Sequence, residues 1–439
     1  MRKKFFANVS WILIGKFVQV VIGFFVGIVS ARYLGPSNYG LINYTASYVS
    51  FFSVLSGLGL DDYIMKEMID HKDDQGTVLG SGILLRLLSS AFSLVALYGL
   101  LMIVEGNNPI IQALAFLQAI NQVFGAFNLI EYWYQIQLRS KTTSIVTTIS
   151  YLLMTVYRIY ILMMQKDIRY FAFTGSLQTL FTAMIIFYLY QKEGGPKLRF
   201  SKEIAKDLVK NSYHFILSSL MVVIFNQTDK IMLKQILNET ETGYYSIAAN
   251  LCNMWPIFLM AIITSANPII MEAKKHDEEI YKKRVRQCYA GVIYVSAIVS
   301  LGITILAPFI INTLYGPQYT RSIYSLQILT WSVLFSYLGV ARGAWIVSEG
   351  LQKYVKYLTG VGAVANIIIN WLLIPSLGAT GASIATLLTQ IIVNFLVAFF
   401  IEELRPNSML IIDAFLLRGV IEKGTINKIK DKFKRKASA

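Results

Sequence analysis

The sequence predicts an all-α polytopic membrane protein with about twelve transmembrane helices in two six-helix bundles. Three observations predict it. Apolar runs of about 20 residues recur from end to end, each long enough to cross a bilayer core of about 30 Å. Only 15% of the 439 residues are charged, against roughly 25% in a soluble domain. The chain also repeats itself weakly at half its length. NVSWILIGKFVQVVIGFFVGIVSARYLGPSNYG from Asn8 to Gly40 and NSYHFILSSLMVVIFNQTDKIMLKQILNETETG from Asn211 to Gly243 have the same spacing. Val20 falls on Val223, Leu34 on Leu237 and Gly40 on Gly243. Internal repeats of this kind underlie many transporters, with the substrate path at the repeat interface.

Taken in order, the apolar runs place six spans at 9–31, 39–60, 79–104, 109–134, 142–164 and 168–190. Six more follow at 212–235, 243–269, 287–311, 323–346, 354–375 and 378–401. Met1-Arg2-Lys3-Lys4 precedes the first run as it would in a signal peptide. That run is too long for a signal h-region and carries Lys16, so it reads as a retained helix. The segment KLRFSKEIAKDLVK at 197–210 mixes apolar residues with lysines and reads as an amphipathic interfacial linker. Pro36, Gly40, Pro375 and Gly378 read as turn residues between spans. The expected organisation is an N-terminal bundle at 1–190, a basic linker at 191–211, a C-terminal bundle at 212–402 and a basic tail at 403–439.

Charge placement sets the orientation. Of the 40 Lys and Arg residues, 30 fall in loops and tails on one side and five on the other. Cytoplasmic loops carry the Lys/Arg excess, so both termini and the linker are expected in the cytoplasm. The formal charge of +15 therefore belongs to membrane topology, and no nucleic-acid partner is expected. Cys252 and Cys288 have no pairing pattern, and the three histidines are scattered, so neither a disulfide nor a metal site is expected.

The remaining five basic residues lie inside the spans: Lys16, Arg86, Arg158, Lys230 and Arg342. The acids there are Glu131 and Asp229, which read as ion-coupling or structural groups. Charges at that depth are costly and mark function by default. Lys16 and Arg86 lie about seven residues, or ~10 Å, from the cytoplasmic end of their helices, with Glu131 and Arg342 on the cytoplasmic side as well. Arg158, Asp229 and Lys230 lie toward the outer half. Arginine binds phosphate bidentately, so cations at both levels suit an anionic cargo crossing the membrane. Structural alternatives stand beside each residue: snorkelling for Lys16 and Arg86, a bond to Glu349 for Arg342, and a pair with Asp229 for Arg158.

ARYLGPSNYG at 31–40, NQTDKIML at 226–233, GYYSIAAN at 243–250, LAPFIINTLYGPQY at 306–319 and NIIINWLLIPSLGATGASIATLLTQ at 366–390 together resemble the Wzx-type oligosaccharide-lipid flippases. These belong to the MOP superfamily, with the lipid II flippase and the MATE multidrug exporters. The resemblance implies two six-helix bundles in a V shape around a central cationic cavity. It implies alternating access and a cargo of undecaprenyl-pyrophosphate-linked oligosaccharide repeat units, turned from the cytoplasmic to the outer leaflet of a bacterial inner membrane. O-antigen, capsule or a related polysaccharide would be the product. Membrane lipids, a polymerase and a chain-length regulator are the partners it implies. No cofactor and no catalytic residue are expected, and coupling to a proton or sodium gradient is left open. A MATE-type cation exporter is the nearer alternative, but would want acids where this chain has bases. A membrane polysaccharide polymerase would carry a large outer loop with catalytic groups, and the outer loops here are short.

Overall fold

The computed structural model describes residues 2–420. Every regular element among them is helical. Among the described residues, ten helices are long and apolar enough to cross a membrane, where the sequence suggests about twelve spans. The difference lies in two long segments that the sequence reading had each divided in two. The helix α1 (Arg2–Gly57) breaks at Gly35, where φ is 70° and ψ 171°. The helix α14 (Lys353–Ile391) breaks at Gly378, with φ 57°. Both angles lie in the left-handed region that a Cβ disfavours, and Pro36 follows the first break with φ fixed and no N–H to offer.

Contacts show that the chain reverses at each break. The first unit comprises Met1–Gly243 with Leu314–Gln318. In it, Gly15 packs near Ser144 at the start of α7 (Ser140–Met163), whereas Tyr33 donates to the Lys166 carbonyl beyond the other end of α7. Tyr44 then meets Glu105 at the end of α3 (Gln75–Glu105), and a Cβ at Gly57 would stand 4.0 Å from Arg86 Nη2, nearer the start of α3. The end where α7 and α3 start is called the base below, and the end near Gly35 the tip. In the second unit, Leu358 and Ala398 share one buried cluster although Gly378 lies between them.

The first unit also holds α2 (Leu60–Asp70), α4 (Pro109–Ala119), α5 (Asn121–Gly125), α6 (Ile130–Ile136), α8 (Ile168–Lys192) and α9 (Lys202–Ile236). Lipid gives helices little hydrophobic reason to associate, so small polar residues do much of the joining. Ser56 and Ser90 hydroxyls lie 2.6 Å apart, and Ser93 donates to the Phe52 carbonyl at 2.7 Å. Backbone contact is closest at Gly40. A Cβ there would run into the Glu239 carbonyl and the Gly243 nitrogen, and one at Gly243 into the Pro36 carbonyl. Gly40 is thus a helix-packing position and not the turn residue expected from its neighbours. The two glycines matched by the sequence repeat touch in space.

The linker is not a separate helix. Pro196 to Ser201 lies extended over the start of α3, where Gly76 and Gly80 leave room for its backbone. Arg199 N–H donates to the Gly76 carbonyl at 3.2 Å and Ser201 N–H to Ser81 Oγ at 3.0 Å. Ser201 then caps α9, accepting from the Ile204 N–H, and α9 runs 35 residues unbroken. Nothing between Lys202 and Ile236 interrupts a helix, so the amphipathic turns and the following span form one rod.

The second unit, Tyr244–Thr313 with Tyr319–Ala439, holds most of α10 (Glu239–Cys252), then α11 (Ile257–His276), α12 (Glu278–Ile310), α13 (Ser322–Ser348), α14, α15 (Val397–Phe400) and α16 (Arg405–Phe415). The apolar residues of α16 are buried: Leu410, Ile411 and Ala414 join the cluster built on α12 and α13. The basic run from Lys423 to Lys436 lies outside the described residues.

Candidate functional site

The first unit carries a polar cavity of about 280 Å³ at its base. It opens where Gly15 lets α1 come close to α7, with Thr148 Oγ1 only 3.3 Å from where a Cβ would stand. The α1 helix contributes Lys16 and Gln19, and α6 contributes Glu131 and Gln135. The α7 helix lines the opposite wall with Ser140, Thr143, Ser144 and Thr147. Spacings of three and four residues put such side chains on one helix face. Two of the predicted residues, Lys16 and Glu131, are therefore brought to one cavity.

A second cluster adjoins it. Glu131 is within electrostatic reach of Asp61 on α2. Asp61 Oδ2 lies 2.5 Å from Arg86 Nη2, and Asp61 Oδ1 accepts from the Tyr132 hydroxyl at 2.9 Å. The Arg86 side chain is 8% exposed and that of Asp61 55%. The contact is a charge pair without a well-aligned hydrogen bond, and Arg86 Nε has no partner. Asp61 is the counter-charge of Arg86.

Nearer the tip, Arg158 reaches the Tyr151 hydroxyl two turns back on α7. Gly23 on α1 makes the space for that hydroxyl, which a Cβ there would strike. Arg158 engages Tyr151, and the adjacent Lys230 feels the Asp229 charge. Lys230 donates to Gln227 Oε1 at 3.1 Å, and the same oxygen accepts from Ser47. Asp229 is 2% exposed.

Arg342 belongs to the second unit and is 4% exposed. Its Nη2 donates to Asn394 Oδ1 at 3.1 Å, and Asn394 Nδ2 donates to Gln390 Oε1 at 2.7 Å. Asn394 sits in a π-helical turn, Ile392–Leu396, and fits only because Gly339 has no side chain. Glu349, the partner considered from sequence, pairs with Lys274 at 2.8 Å instead.

One charged cluster escaped the sequence reading. By the spans read from sequence, Glu105 falls in a short loop and Lys234 at the outer end of the seventh span. They form a buried pair near the tip, 5% and 18% exposed. Tyr44 also donates to Glu105, and Gln235 adds a bond at 2.5 Å. An acid ending one apolar run and a base ending another were the available signal.

A multi-pass helical membrane protein with polar and cationic sites inside its helices is the class that this fold and these residues define. The sequence profile of the polysaccharide biosynthesis protein family matches residues 5–274, and the chain belongs to that family. This bears out the family read from the motifs. Over 93% of its length the chain is 23% identical to an uncharacterized membrane protein, MJ1068 of Methanocaldococcus jannaschii, covering 86% of that protein. It is 20% identical over 45% of its length to a "Probable low-salt glycan biosynthesis flippase Agl15" of Haloferax volcanii, covering 42% of that protein. Among solved structures, the lipid II flippase MurJ in an inward closed conformation shares the fold, with a TM-score of 0.69 at 14% identity over 92% of this chain and 91% of that one.

Proposed function

We propose that this protein is a flippase for undecaprenyl-pyrophosphate-linked oligosaccharide repeat units, moving them from the cytoplasmic to the outer leaflet of a bacterial inner membrane for O-antigen, capsule or related polysaccharide assembly. It works as a transporter and not as an enzyme, by alternating access, with both termini in the cytoplasm. Family membership and the glycan-flippase relative support this reading. The observation that carries it is the placement of cations in the first unit. Lys16 and Arg86 stand at the base, and Arg158 and Lys230 toward the tip. Arg158 is held by a hydroxyl, which leaves its charge uncompensated and its fork open to a phosphate. In this reading the base is cytoplasmic, Arg86 meets the pyrophosphate and Lys16 the attached saccharide on entry, and Arg158 and Lys230 meet the pyrophosphate near exit. Arg342, buried under Asn394, holds the second unit in its working form. Asp229 and Glu131 are the acids available for coupling to an ion gradient.

The test is loss of the protein in its own cell. Surface polymer should stop while lipid-linked repeat units accumulate on the inner leaflet. Normal polymer together with new sensitivity to cationic dyes would point to a MATE-type exporter. The acids Glu131 and Asp61 at the base are the feature that favours that second reading.

A further inference from the structure

We infer that the cavity between α1, α6 and α7 is a saccharide subsite, taking a neutral sugar ring of the cargo and not its pyrophosphate. The inference rests on the flippase reading for where the sugar comes from. It rests on the cavity's own chemistry for what binds.

Two hydroxyl protons of the α7 wall are already used. Thr147 donates to the Thr143 carbonyl at 2.9 Å, and Thr143 donates to the Ser140 carbonyl at 3.0 Å. Each therefore presents lone pairs to the cavity. Across from them stands the Glu131 carboxylate, and Gln135 adds one amide with both a donor and an acceptor. Lys16 supplies the cationic donor. The lining is thus rich in acceptors and close to neutral in charge.

A pyrophosphate fits this poorly. It offers acceptors to acceptors beside Glu131, and Asp61 behind is already paired with Arg86. A simple cation fits little better, because Lys16 lines the same space. A sugar ring carries several hydroxyls, each able to donate to Thr143, Thr147 or Glu131 and to accept from Lys16 or Gln135. The size agrees. Pockets for whole drug-sized ligands run from about 300 to 1,000 Å³, and 280 Å³ is just below that range, matching a ring-sized group. Trp11 stands one turn before Gly15 on α1, exposed, with the Lys141 ammonium 4.9 Å from its ring. It provides an aromatic face near the rim.

The test uses the full chain in nanodiscs of phosphatidylethanolamine and phosphatidylglycerol, with Cys252 and Cys288 replaced and Ser144→Cys as reporter. A maleimide labels the reporter in the presence of methyl glucoside, methyl galactoside, methyl N-acetylglucosaminide, inorganic pyrophosphate or tetraphenylphosphonium. At least one glycoside should slow labelling, about threefold at twice its Kd. Glu131→Gln, which keeps an acceptor, should retain that protection, and the isosteric Thr147→Val should weaken it. Pyrophosphate should not protect. The subsite is overturned if no glycoside protects at millimolar concentration, or if protection comes only from pyrophosphate. It is equally overturned if tetraphenylphosphonium protects and Glu131→Gln abolishes the effect, which is a cation site. Polymer assembly that needs the protein, without glycoside protection, removes the subsite and leaves the flippase. Glycoside protection in a protein dispensable for polymer does the reverse.

Discussion

The Arg86–Asp61 pair predicts an asymmetry that can be measured. Removing one partner of a fully buried pair costs about 3–5 kcal/mol, because the other charge is stranded. An exposed pair contributes about 0–1 kcal/mol. This pair is split between the two limits, with Arg86 8% exposed and Asp61 55%. Asp61→Ala strands a buried guanidinium whose Nε is already without a partner. Discounted for the water that reaches Asp61, the expected cost is about 2–3 kcal/mol, or roughly 30- to 150-fold in the folding equilibrium. Arg86→Ala leaves a carboxylate that can hydrate, and the expected cost is about 1 kcal/mol from lost pairing and stem packing. The double variant should be more stable than Asp61→Ala alone. Reversible unfolding in mixed micelles with increasing SDS measures all three. Equal losses for both single variants, or a larger loss for Arg86→Ala, would refute the reasoning and mean that Arg86 is held by something other than Asp61. The same variants separate structure from transport. If Arg86 handles cargo, Arg86→Ala should stop polymer although it folds nearly normally, and Arg86→Lys should keep part of the activity.

Other outcomes follow from particular contacts. Arg158→Ala should abolish polymer at normal abundance, Arg158→Lys should retain a fraction, and Asp229→Asn should not rescue either, since Arg158 engages Tyr151; polymer yield in a complemented strain reads all three. Gly40→Ala and Gly243→Ala each put a methyl into a backbone contact, so membrane abundance should fall by the equivalent of about 1–3 kcal/mol. Glu105→Gln and Lys234→Met should each be more harmful alone than together, as a double-mutant cycle in SDS unfolding would show. For topology, single cysteines replacing Lys202 and Lys275, both exposed, should resist an impermeant thiol reagent in intact cells while one at Asn107 labels rapidly. The reverse pattern would invert the orientation.

Hydropathy is a local property, so the sequence alone determined the membrane class, the position of nearly every helix and the five basic residues inside them. Family motifs and the half-length repeat were legible for the same reason, since both are patterns along one strand. The reversals at Gly35 and Gly378 were also foreseeable, as glycine and proline mark them directly. What tertiary structure decided is which charges meet. Arg86 finds Asp61, Glu105 finds Lys234 across 129 residues, and Arg158 finds Tyr151. Those pairings depend on how each helix is rotated about its axis and how far it is shifted along its neighbour. Close contacts at Gly40 and Gly15 and serine bonds such as Ser56 with Ser90 fix both quantities. No window of sequence contains them. The cavity that joins Lys16 to Glu131 and Thr147 exists only because α1 is held in that register against α6 and α7, far along the chain.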